Sequence, residues 1–331
     1  MIGSPKSRRS LQHLFPREVI IMRVTVIILG MLVAFPVLAL GQVSVPFLEM
    51  AGVGFPPLNP AAVAWDRAPR VSVGRSEGYF HNFNQAGAVV SKRNVDGRSF
   101  EGAFVSEFLS GEVRHLELEF SNNTHLTTAI DITYLGAAVR IGDGLALGIG
   151  RQEETNASPG ASDIQLQGPM AGASLRVGEV FFAGVALGTQ SRTESGVQDA
   201  ERSTETYGVG LRFLGEANGF MIEYSVENKE AFTLETAPGV TATFNQYESD
   251  FAAIQVMLQS IVLGFSVWNQ ETFNETVNQV MSEHREGWMI GWSPTEGFGL
   301  NAQFQERVRE DSLNNLTRRR ERTRVAAVYR F

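Results

Sequence analysis

Three arginines recur at a constant interval in this chain of 331 residues: Arg140, Arg176 and Arg212, spaced 36 apart by their numbering. Their surroundings repeat as well, as Ala137-Ala138-Val139-Arg140-Ile141-Gly142, Gly172-Ala173-Ser174-Leu175-Arg176-Val177-Gly178 and Gly208-Val209-Gly210-Leu211-Arg212-Phe213. Each arginine sits on the polar side of an alternating stretch, just before a tight turn. Around an opening, such a collar would draw anions, because a ring of like charge biases which ions pass. The competing chemistry is internal neutralisation, with Glu223, across a turn from Arg212, as the acidic partner.

A second basic feature is the run Arg318-Arg319-Arg320, followed by Arg322 and Arg324. Guanidinium groups match phosphate geometry, so this run is a candidate contact for lipopolysaccharide phosphates, against the plainer reading of a solvated loop end. The histidines His13, His81, His115, His125 and His284 have little company suited to catalysis. His284 beside Glu283, and His125 near Asn122 and Asn123, are the best pairs. No H-E-x-x-H, G-x-S-x-G or phosphate-loop pattern occurs. We read no enzyme, no metal centre and no cofactor. Cysteine is absent, which removes disulfides and thiolate ligands, and a net charge of −8 argues against nucleic acid as partner.

The elements that must carry these residues are strands. Tyr207, Val209, Leu211 and Phe213 fall on one face, with Gly208, Gly210 and Arg212 on the other. The returning segment sets Phe220, Ile222, Tyr224 and Val226 against Met221, Glu223, Ser225 and Glu227. Ile261, Leu263, Phe265 and Val267 repeat the alternation, as do Phe298, Leu300, Ala302 and Phe304 opposite Asn301, Gln303 and Gln305. Short turns such as Gly142-Asp143-Gly144 and Gly178-Glu179 alternate with longer polar connectors such as 192–202 and 229–246. Apolar-out, polar-in strands with short turns on one rim and long loops on the other describe a transmembrane β-barrel, short side periplasmic.

Counting back from the carboxyl end places strands near 319–331, 298–309, 282–292, 261–271, 246–258, 219–229, 203–214, 180–191, 165–177, 144–154 and 126–141. Earlier candidates are 112–121, 85–93 and 69–78, with 99–109 competing. The expected fold is all-β: an antiparallel up-and-down barrel of about 14 strands, 12 being the alternative, since single-chain bacterial barrels have even strand numbers. Trp288, Trp292, Tyr329 and Phe331 are candidates for aromatic girdles at the membrane interfaces. The last strand, closing on Phe331, resembles the signal that the barrel-assembly machinery recognises in outer-membrane proteins.

The amino-terminal part divides at 1–41, 42–68 and 69–331. Residues 24–40 are an apolar run preceded by Met22-Arg23 and followed by Gly41, the parts of a cleaved signal peptide, with Met22 as an alternative start. The expected destination is the bacterial outer membrane, in contact with its lipids. Residues 42–68 hold Pro46, Pro56, Pro57 and Pro60, too much proline for a sheet. Within them Asn59 is placed to cap a short helix and Pro60 to open it, leading through Ala61 to Trp65. This piece is expected to be a helical or irregular plug in the lumen.

Asn59-Pro60-Ala61 with Ala62-Val63-Ala64, the strand Pro69-Arg70-Val71-Ser72-Val73-Gly74, and the hairpin of 135–141 with 144–148 together resemble the FadL-like outer-membrane family. That resemblance implies a 14-stranded barrel, an amino-terminal hatch and passage of hydrophobic compounds with lateral release into the membrane. The function expected is therefore a channel for small hydrophobic solutes. A scaffold or secretion-accessory barrel that transports nothing, and a narrow diffusive porin, are the alternatives. The best loop segment for capturing an apolar ligand is Ala231-Phe232-Thr233-Leu234, with Val240 and Phe244 beyond.

Overall fold

The computed structural model describes residues 59–65, 69–83, 88–122, 125–178, 180–194, 197–214, 218–237, 240–275, 277–295, 297–313 and 316–330. The expected signal peptide, most of the 42–68 segment and Phe331 lie outside these. The strands are β1 (Arg70–Phe83), β2 (Val89–Val105), β3 (Leu109–Asn122), β4 (His125–Ile141), β5 (Leu145–Ala157), β6 (Ile164–Val177), β7 (Phe181–Glu194) and β8 (Val197–Leu214). They continue with β9 (Asn218–Lys229), β10 (Phe232–Ala237), β11 (Val240–Phe244), β12 (Gln246–Leu258), β13 (Ile261–Asn274), β14 (Gln279–Thr295), β15 (Phe298–Asp311) and β16 (Leu316–Arg330). A one-turn 3-10 helix, Ala62–Trp65, precedes them.

All but β10 and β11 form one closed antiparallel barrel, 14 strands around, and β1 seals it against β16 from Arg70↔Arg330 to Phe83↔Thr317. Closure leaves no unpaired edge, which a sheet in hydrocarbon could not tolerate. The expected strand number holds. The early boundaries differ: β2 is one 17-residue strand that joins the 85–93 candidate to most of the 99–109 competitor. Its outward face explains why the alternation reads weakly, since Phe104 and Phe100 give way to Arg98, Asp96, Asn94 and Lys92. Short turns reverse where expected, Gly142 and Gly178 at φ 64° and 60°. Gln259, at another short turn, takes φ 54° without the glycine such angles favour.

The outer face has two zones. Starting at the short turn, β8 presents Phe213, Leu211, Val209 and Tyr207 outward, all exposed, and then Glu205. On β14 the series is Trp292, Ile290 and Trp288, then Glu286 and His284. On β15 it is Phe298, Leu300 and Phe304, then Glu306. The apolar belt thus occupies the short-turn half of the wall, about seven residues of each strand, or roughly 20 Å along the membrane normal after tilt. Strands of up to 18 residues carry the wall well past it. Trp292 and Phe298 mark the lower edge of the belt, and Tyr207 and Trp288 the upper. Phe265 and Trp288 pack with ring centroids 4.4 Å apart on that edge.

Inside, the lower half holds a compensated ionic cluster. Arg70 meets Glu101 at 3.0 Å, Arg114 meets Glu112 at 2.7 Å and Glu101 at 3.5 Å, all of them buried. Higher up, Val95, Leu116, Leu118, Phe120 and Ile132 form an apolar cluster on the inner faces of β2–β4, with Phe80 and Ile130 packed against it. The wall polarity is directly testable. Val209→Arg, in mid-belt, is expected to destabilise the barrel by about 2–4 kcal/mol, whereas Glu205→Arg, four residues along on the same face, changes stability by less than about 1 kcal/mol. Urea unfolding in lipid vesicles measures both; equal losses would place the belt elsewhere.

Candidate functional site

Residues 59–65 lie against the inner face of the wall at the short-turn end. Asn59 caps the turn as expected: its Oδ1 accepts the Ala61 backbone N–H at 3.0 Å and its carbonyl accepts that of Ala62 at 3.0 Å. The other side-chain arm of Asn59 reaches the wall, Nδ2 donating to the Ala173 carbonyl at 3.0 Å. Beneath it three inward glycines on adjacent strands supply a flat seat. A Cβ at Gly148 would come within 2.5 Å of the Ala61 nitrogen, one at Gly172 within 2.2 Å of Asn59 Oδ1, and one at Gly184 within 2.4 Å of Asn59 Nδ2. Val63, Ala64 and Trp65 complete a buried cluster with Ala103, Ala138 and Ala146, with Phe182 alongside.

The repeated arginines meet this segment. Trp65 donates its indole N–H to Ser174 Oγ at 2.9 Å, and its ring lies 4.7 Å from the Arg176 guanidinium and 5.5 Å from that of Arg140. Arg140 Nε donates to the Ala64 carbonyl at 2.5 Å. Arg212 stacks over Phe182 at 4.5 Å. Two features that looked separate in the sequence are therefore one assembly, in which cation–π contacts hold a tryptophan between arginines. The three arginines also anchor the turns: their backbone N–H groups donate to Phe108, Gly144 and Val180 carbonyls. Glu223 faces inward, opposite Gly210 across the ladder, and the charge acting on it is that of Arg114.

Immediately above this seat the wall thins. The register of β6 with β7 runs from Ile164↔Glu194 to Gln167↔Ser191, then resumes at Met170↔Gly188, so Gly168 and Pro169 drop out of the ladder. Proline has no N–H to give, and its presence in mid-strand marks a break. Gly168 approaches the facing strand so closely that a Cβ there would lie 1.7 Å from the Thr189 carbonyl. On the inner side, Tyr134 is fully buried and lies flat across Gly136 and Gly150, whose Cβ positions would fall 2.6 and 3.0 Å from its ring or hydroxyl. Along β4 the inward residues run Ile130, Ile132, Tyr134, Gly136, leading from the upper apolar cluster to this spot. On the outer side an open groove of about 1110 Å³ spans β2–β7, lined by Phe104, Val113, Leu135, Ile149, Pro169 and Leu187 among others. Gly136 and Gly150 line this groove and also lie against Tyr134, so no side chain of theirs stands between the two.

Strand alternation separates two groups of residues that are neighbours in the sequence. The Arg318-Arg319-Arg320 run does not form an outward patch, because a strand alternates its side chains. Arg320 is buried on the inner face over the Phe120 ring at 4.8 Å, and Arg318 shares that face. Arg319 alone of the three points out, paired with Glu306 at 2.8 Å and Glu321 at 3.3 Å. Likewise His284 and Glu283 cannot act together: His284 faces out towards Asn269 at 2.7 Å and Glu286 at 3.2 Å, while Glu283 faces in, paired with Arg285 and Arg307. The side chain of His125 lies outside the described residues. The loop candidate for ligand capture is itself ordered as the β10–β11 hairpin, with Phe232 buried beneath the Arg202 guanidinium at 4.2 Å.

The thin wall was not legible in advance, although Pro169 inside an otherwise alternating strand was a usable signal. Several solved structures share this fold. The CymD monoaromatic hydrocarbon channel matches with a TM-score of 0.54 and 10% identity over 88% of this chain and 98% of its own. The toluene transporter TodX of Pseudomonas putida gives 0.51 and 8% over 88% and 95%. A FadL homologue from Pseudomonas aeruginosa gives 0.51 and 10% over 87% and 99%. No family model and no curated protein matches the sequence. At such identities the likeness establishes the fold that this barrel shares with them.

The glycine seat generates a test. Gly148→Val drives side-chain atoms into the backbone of Pro60 and Ala61, so residues 59–65 are expected to leave the wall while the barrel persists. Amide hydrogen exchange of that segment should accelerate at least about tenfold, since protection follows local opening. Unchanged exchange would mean the segment is not held there.

Proposed function

We propose that this protein is an outer-membrane channel through which small hydrophobic compounds pass sideways, from the lumen through the barrel wall into the surrounding lipid. The observation that carries the reading is the coincidence at one height of the Pro169 ladder break, the glycine-thin wall with Tyr134 behind it, and the apolar outer groove. Sequential burial alone does not call for any of these. The inner apolar residues of β2–β4 supply a surface for an uncharged solute above this point. Below it, residues 59–65 and their arginine collar form a floor that turns the route outward. A hydrophobic solute gains from never entering the aqueous space beyond that floor, since leaving hydrocarbon for water costs about 25 cal/mol per Å² of apolar surface.

The three structural relatives are a monoaromatic hydrocarbon channel, a toluene transporter and a FadL homologue, in keeping with this class of solute. In this reading Tyr134 is the inner gate, Asn59, Pro60, Ala61 and Trp65 are the plug, and Arg140, Arg176 and Arg212 are its clamp. Catalysis has no part in it.

Uptake of radiolabelled toluene by bacterial cells expressing the barrel tests the route. Pro169→Val, which supplies the missing N–H, is expected to lower uptake several-fold; Tyr134→Ala, which removes the inner cover, should raise it. Uptake no faster than in cells carrying an empty vector would sink the proposal. So would a parent-like rate in both variants.

A further inference from the structure

The upper half of the lumen holds a second site with different chemistry. Arg285 on β14, Arg307 on β15 and Arg320 on β16 are direct register partners, in one row across three neighbouring strands. In the next row Arg309 faces Arg318. Adjacent strands lie about 4.8 Å apart, and like charges placed directly opposite one another destabilise a sheet. A fold under no other constraint would not stack guanidiniums in this way.

Glu283 is the carboxylate that Arg285 and Arg307 share. Arg320 and Arg322 have no ion pair among the described residues. Arg322 donates one bond, from Nη2 to Ser76 Oγ at 2.8 Å, and leaves Nε and Nη1 without a partner. Arg320 leaves Nε and Nη2 without one. These side chains are only 7% and 3% exposed. The largest charges acting on Arg320 are those of Arg307, Arg322 and Arg285, with Glu283 opposing them. Water can hydrogen-bond to a buried guanidinium, but it does not cancel its charge; a bound anion does both.

We infer that Arg320 and Arg322, with Arg307 and Arg285 beside them, bind a phosphate-type oxyanion in the upper lumen. Guanidinium forks donate paired N–H groups to such an oxyanion, and the local excess of positive charge suits a dianion better than a monoanion. The anion is either free phosphate or the phosphate head of an amphiphile. The second source has a place to lay its hydrocarbon arm, because Arg320 rests on Phe120, a member of the apolar cluster of β2–β4. This site stands apart from the thin wall and does not depend on the transport reading.

The test uses the purified full-length barrel in a zwitterionic detergent, with thermal unfolding followed in sodium phosphate and in sodium chloride of equal ionic strength. Phosphate is expected to raise the melting midpoint by several degrees above chloride, as any ligand of the native state does. The double variant Arg320→Gln, Arg322→Gln should lose that rise and, relieved of charge repulsion, melt higher than the parent in chloride. A midpoint no higher in phosphate than in chloride, or a rise that survives in the double variant, overturns the site. Equilibrium dialysis of the unaltered protein against radiolabelled phosphate gives a check that needs no variant: about one phosphate per barrel supports the site, and none above the chloride background refutes it. Dodecyl phosphate distinguishes the sources. Binding at least tenfold tighter than inorganic phosphate assigns the site to a lipid-like head, and equal binding assigns it to free phosphate, each supporting an oxyanion site.

Discussion

Every peptide group that enters hydrocarbon must find its hydrogen bond within the protein, and that requirement governs this molecule. The cost of an unsatisfied group there is several kcal/mol, so a sheet crossing lipid has to close on itself. Sealing β1 on β16 meets the demand around the circumference. Against that background a ladder break is expensive, which is why the one at Gly168-Pro169 carries meaning. Its cost is contained because Gly168 lets the backbones of β6 and β7 approach closely. Strain of this kind persists where function selects for it.

The interior follows a second rule, that charge taken out of bulk water must be matched. The lower lumen obeys it, with Arg70 and Arg114 set between Glu101 and Glu112. At the seat of residues 59–65, aromatic faces take part of the role of anions: Trp65 lies near Arg140 and Arg176, and Phe182 under Arg212. The upper lumen departs from the rule, with arginine facing arginine across β14, β15 and β16. The same residue type thus has three roles at three heights, set by what faces it.

The architecture was legible in the sequence because alternation has period two and lipid reads it literally. Tyr207, Val209, Leu211 and Phe213 can face only one way once Arg212 and Gly210 face the other. The 36-residue recurrence of Arg140, Arg176 and Arg212 pointed to one end of the barrel, and Asn59 and Pro60 pointed to a capped turn. What stayed hidden were relations between segments far apart in the chain. That Trp65 rests near Arg176, or that Arg285, Arg307 and Arg320 share a row, depends on registers no local pattern reveals. Arg318-Arg319-Arg320 misled for the opposite reason: adjacency in sequence looked like a patch, but neighbours on a strand point apart. In β2 the alternation faded where the wall leaves the lipid and its outer residues turn charged.

The shortness of the greasy belt has an effect beyond the protein itself. Lipid acyl chains around the barrel must compress to match it, and that deformation stores elastic energy in a surrounding annulus. Two such annuli overlap when barrels draw together, so the bilayer itself favours their crowding without any complementary protein surface. The compressed annulus is also where the groove of β2–β7 opens, in lipid already disturbed from its ordinary packing.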